Sequence, residues 1–81
     1  MTAEIYQKLK NIGPRLRSYK RESSAVRADF MCSSEYIELV KELSDITNEV
    51  TIFSNNGTFV WFTVRTADED FTENLVRDFL C

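Results

Sequence analysis

Residues 50–64, VTIFSNNGTFVWFTV from Val50 to Val64, decide the fold, because two runs rich in β-branched and aromatic residues flank an Asn56-Gly57 pair. This pattern predicts a β-hairpin. A two-residue type I′ turn needs positive φ at both central positions, which Asn tolerates and Gly adopts without a Cβ penalty. Along the second strand Phe59 and Trp61 point one way while Val60, Phe62 and Val64 point the other, so both faces are apolar. Helices covering one side of a small sheet would leave Phe59 and Trp61 on the other, to be buried under the N-terminal segment or against a partner.

The elements on either side carry their own start and stop signals. Thr66-x-x-Glu69 has the form of a capping box, and Phe71, Leu75 and Phe79 follow at i, i+4 and i+8, supported by Val76 and Leu80, which predicts a last helix. Asp68, Glu69 and Asp70 fall in its first turn, where the helix dipole favours negative charge, so they need no ligand to explain them. Upstream, Ser33 or Ser34 can cap a helix in which Tyr36, Leu39, Leu43 and Ile46 form one stripe. Thr2 can cap a first helix carrying Ile5, Leu9 and Ile12, which Gly13-Pro14 stops near Asn11.

Between these helices, Ala25 to Cys32 alternates Val26, Ala28 and Phe30 on one face, as a strand does. Residues 15–21 admit two readings: a helix begun by Pro14, which is favoured, or a further strand. The second gives helix, hairpin, helix, hairpin, helix, the layout of an internal duplication, although the two halves share little sequence. The expectation is one α+β domain over residues 1–81: a small, largely antiparallel sheet of about three strands, including hairpin 50–64, covered by three or four helices. A right-handed crossover through the middle helix would make the strand at Ala25 parallel to the one at Val50.

Composition narrows the function. Eighty-one residues suffice for one modest core but not for an enclosed cofactor pocket of ordinary size, so no cofactor is expected. The chain has no histidine, which removes the commonest general base near neutral pH and the commonest zinc ligand; two distant cysteines cannot assemble a zinc site, so no metal is expected. Gly13 and Gly57, the two glycines, lack the spacing of a phosphate loop. No catalytic residue is therefore assigned and an enzyme is not expected; a thiol enzyme using Cys32 would have no histidine to activate it. No segment reads as a membrane span, and MTAEIYQKLK lacks the apolar stretch of an export signal, so a cytoplasmic protein with reduced thiols is expected. Cys32 then reads as a small core residue, Cys81 as a terminal residue with no prenylation box, and Asn56-Gly57-Thr58 as a turn rather than a glycosylation site.

Charge is uneven along the chain. Residues 1–29 carry seven basic and three acidic side chains, whereas residues 30–81 carry three basic and ten acidic ones. The basic segment supplies Arg15, Arg17, Lys20, Arg21 and Arg27 with Tyr19 among them, a pattern suited to phosphate attraction and base stacking. Against it stands the overall charge of −3. Phe59-Val60-Trp61-Phe62 matches the F-V-x-F part of the strand that RNA-recognition modules use, but without its leading basic residue or Gly-Phe-Gly spacing and in another order of elements, so no family is assigned. The leading expectation is a small protein-binding regulator or inhibitor that occupies a surface on a larger cytoplasmic partner through Phe59 and Trp61, with Glu35, Glu38 and Glu42 as an acidic contribution. Phage-encoded inhibitors of host defence share this size and acidity, an analogy only. A nucleic-acid-binding accessory protein using residues 15–27 is the alternative, and a homodimer is a further candidate.

Overall fold

The structure, a computed structural model, describes residues 2–80 and, within them, every side chain except those of Thr72, Val76 and Leu80. The expected parts of Val76 and Leu80 in the last apolar face, and the reading of Cys81, lie outside the described residues.

Helix α1 (Ala3–Ile12) starts where the Thr2 hydroxyl accepts from the Ile5 amide at 3.2 Å. It stops at Gly13, whose φ of 62° lets its N–H reach back to the Lys10 carbonyl before Pro14 ends the helix. Strands β1 (Arg15–Arg21) and β2 (Val26–Ser33) form one hairpin, and β3 (Val50–Asn55) and β4 (Phe59–Thr66) form another. Between the hairpins a 3-10 turn (Ser34–Tyr36), capped by the Ser33 side chain, leads into α2 (Ile37–Ile46). The chain closes with α3 (Glu69–Leu75), which continues as a π-helical turn over Val76–Leu80. The four strands make one antiparallel sheet in the order β1-β2-β4-β3.

This is an α+β domain with four strands rather than three. Residues 15–21 are a strand and not the favoured helix, and the cause is a bulge. Leu16 pairs with Phe30 and Ser18 with Asp29, so Arg17 is an extra residue and the two inward side chains, Leu16 and Tyr19, stand three apart. A spacing of three is what a helix would show. The expected parallel relation holds, since β2 and β3 run in the same direction with α2 crossing between them, and β4 lies between the two and pairs antiparallel with both.

All three helices pack on one face of the sheet. Ala28, Phe30, Cys32, Val50, Val60, Phe62 and Val64 point into that layer and meet Leu9 and Ile12 of α1, Val40 and Leu43 of α2, and Phe71 and Leu75 of α3. Phe30 and Phe62 stack at 5.4 Å between centroids, and Phe79 meets Phe30 edge-on at 5.2 Å. Cys32 is a buried free thiol that burial pushes above its usual range, in keeping with a core role. The stripe expected on α2 is rotated: Val40 and Leu43 are buried with Ile37 and Tyr36 against the core, while Leu39 and Ile46 are exposed. Both stripes have helical spacing, and contact with the sheet selects the one that includes Ile37, Val40 and Leu43.

Two local signals act differently from expectation. Asp68, not a Thr66–Glu69 box, caps α3: its Oδ1 accepts from the amides of Asp70 and Phe71, while the buried Thr66 hydroxyl accepts from the Asp68 amide. In the β3-β4 hairpin Gly57 has φ of 86° but Asn56 has a negative φ, so the turn is not type I′. The Asn56 Oδ1 instead accepts from the amides of Thr58 and Phe59 at 2.9 and 2.8 Å. Gly57→Ala is expected to destabilise the protein by about 1 kcal/mol in urea denaturation, because an added Cβ meets no atom within 4 Å and positive φ alone penalises it. A midpoint unchanged from the parent would show that this turn does not hold the hairpin.

Candidate binding face of the sheet

Each strand that sends one set of side chains into the core sends the other to the opposite face, and no helix among the described residues packs there. The register sets out that face as rows running across the strands. At the end nearest the β3-β4 turn, Ser33 pairs with Phe59. The next row is Arg15, Met31, Trp61 and Ser54, joined by Arg17 from the β1 bulge and Phe53 from a second bulge between Ile52 and Ser54. Ser18, Asp29, Thr63 and Thr51 form the third row, and Lys20, Arg27 and Arg65 the fourth.

Apolar and basic groups are therefore neighbours. Phe53 is 54% exposed and Phe59 41%, and Trp61 is partly exposed between them and the cations. The Arg17 guanidinium lies 5.8 Å from the centre of the Trp61 ring, within cation–π range, reaching across β2 to do so. Arg15, Arg17 and Lys20 have no carboxylate partner among the described residues, whereas Arg65 pairs with Glu22 at 3.1 Å.

Glu22 meets this face at Arg65, and the other acid on it is Asp29. Its Oδ2 accepts from the Ser18 hydroxyl and its Oδ1 from the Thr63 hydroxyl, both at 2.7 Å, and Arg27 Nε donates at 3.3 Å. Burial disfavours its charge, but these three donors outweigh burial and hold the carboxyl below its usual range. Asp29 thus stays ionised near neutral pH and fixes Arg27 on the face.

Charge is consequently divided by face as well as by sequence. The open face carries Arg15, Arg17, Lys20, Arg27 and Arg65 against Asp29 and the Glu22 that pairs with Arg65, which leaves five basic and eleven acidic residues for the rest of the chain. On the helical side Lys8 bridges to Glu42 at 2.9 Å and Glu38 lies 3.8 Å from Lys41, while Glu35 is exposed on the 3-10 turn.

The residues singled out from sequence are regrouped accordingly. Phe59 and Trp61 share a face with Arg15, Arg17, Lys20 and Arg27, not with Glu38 and Glu42. Tyr19 and Arg21 point to the helical side, where Tyr19 packs on the core and Arg21 pairs with Glu69 at 3.2 Å. Phe53, Met31 and Arg65 belong to the open face although no sequence motif marked them. Simple alternation, carried two residues on from Thr51 to Phe53 and four from Trp61 to Arg65, places the first and last of these.

Among the described residues no cluster of His, Cys, Asp or Glu side chains is arranged to hold a metal ion, and no helix is long and apolar enough to cross a membrane. Comparison of the chain with protein-family models, with curated proteins and with solved structures finds no match.

Proposed function

We propose that the protein is a binding module without catalysis of its own, a regulator or inhibitor that acts by occupancy, and that its working surface is the open face of the sheet. One observation carries this reading: Phe53, Phe59 and Trp61 stand exposed or partly exposed on an uncovered sheet, beside five cations of which three have no acidic partner among the described residues. Apolar rings kept in water forgo burial worth about 1.5–3 kcal/mol for a fully enclosed side chain, a gain that a ligand covering this face would recover. The absence of histidine supports a role without general acid–base chemistry. Aromatic and Arg side chains dominate protein hot spots and nucleic-acid platforms alike, so the reading holds for either class of ligand.

The test places a photo-crosslinking side chain at Phe53 on the open face and, separately, at Leu39 on the helical side, in the full chain expressed in its native cells. Adducts, to protein or nucleic acid, are expected from position 53 and are expected to be lost when Arg17→Glu is added. Adducts that form from position 39 alone would overturn the assignment.

A further inference from the structure

We infer that the open face binds single-stranded nucleic acid, its phosphates following Arg15, Arg17, Lys20 and Arg27 while bases stack against Trp61, Phe59 and Phe53. The inference rests on the reading that this face is the working surface and names its ligand. Charge supplies the first reason. Five cations against two acids, Asp29 and Glu22, on a face, in a protein whose remaining surface is strongly acidic, select an anionic ligand and orient it, because the helical side repels what the sheet attracts.

Geometry supplies the second. The cations of β1 and the aromatic residues of β4 lie two strands apart, about 10 Å at the usual strand spacing, so a backbone can run along one edge while its bases reach the rings. A duplex keeps its bases stacked and paired, out of reach of a flat sheet, whereas the unstacked bases of a single strand are free to lie on aromatic side chains. The Arg17–Trp61 contact fits the same scheme: a base arriving at the ring displaces a guanidinium that then has a phosphate to take. A second copy of the chain fits less well. Apposing two open faces sets cation against cation, and apposing an open face to the acidic helices of another copy is a head-to-tail contact that does not close into a dimer.

Trp61 is the only tryptophan, so its fluorescence reports this face alone. The purified full chain is titrated with oligothymidylate and oligouridylate of about 12 nucleotides, which separates DNA from RNA, and with a duplex of equal length. Saturable quenching by at least one single strand at about 50 mM salt is expected, with weaker binding of the duplex. The plot of log affinity against log salt should have a slope of up to about −3, since each of four phosphate contacts contributes about 0.7 in single strands, and Lys20→Gln should reduce it by about 0.7. With a labelled strand followed by anisotropy, Trp61→Ala should weaken binding about tenfold or more while Trp61→Phe stays near the parent.

Absence of binding by both single strands at low salt overturns the inference. So does binding in which duplex and single strand compete equally and Trp61→Ala changes nothing, because phosphate attraction would then act without the aromatic platform. If position 53 still crosslinks to an acidic protein after nuclease treatment in either case, the open face remains the working surface and only its ligand has been misassigned.

Discussion

Phe62→Ala is expected to destabilise the domain by about 3–5 kcal/mol, through lost transfer energy and the cavity left beneath Phe30. Phe62 is 0% exposed, stacks on Phe30 and sits on the central strand β4, with both neighbouring strands and the helices closing around it. A domain of this size holds only about 5 kcal/mol in reserve at the lower end of the usual range, so the variant should be largely unfolded at modest urea concentrations. Trp61→Ala, one residue away on the opposite face, is expected to leave the protein folded with a cooperative transition. Equilibrium denaturation of both variants decides the matter. If both unfold in water, β4 is buried on both sides and the open face is not available to a ligand; if Trp61→Ala alone unfolds, the two faces are inverted.

Leu43→Ala is expected to lower stability by about 2–5 kcal/mol, whereas Leu39→Ala should change it by no more than about 0.5 kcal/mol. Leu43 is 1% exposed in the core and Leu39 is 44% exposed on the outer side of α2. The pair separates the observed orientation of the helix from the one that its apolar spacing suggests, in which both leucines face the sheet. Equal losses on thermal or chemical denaturation would show that α2 is turned toward the stripe of Tyr36, Leu39, Leu43 and Ile46.

These two contrasts also mark where sequence reading succeeds. Alternation along Phe59 to Val64 groups Val60, Phe62 and Val64 on one face and Phe59 and Trp61 on the other without reference to any other part of the chain, because successive side chains of a strand must leave on opposite sides; the helices decide which face is the core. Helical spacing is less decisive. Leu39 and Leu43 lie on one stripe, Ile37, Val40 and Leu43 on another, and nothing local to α2 says which of them the sheet will cover. Residues 15–21 fail for a related reason: the bulge at Arg17 gives a strand the spacing of a helix, and its partner β2 is what discloses it.

The sequence by itself determined the α+β class, the Thr2 cap, the breaks at Gly13-Pro14 and Gly57, the second hairpin and the division of β4 into two faces, all of which follow from interactions within a few residues of chain. Only the tertiary structure decided the strand order β1-β2-β4-β3, the two bulges, the rotation of α2 and the corner where Arg17 meets Trp61. Strand pairing is a non-local event. β2 accepts β4 as its neighbour because Ala28, Phe30 and Cys32 must share one buried layer with Val60, Phe62 and Val64, and that same pairing carries the cations of the N-terminal half onto the outer face beside the aromatic side chains of the C-terminal half. No period or motif within either half contains that juxtaposition.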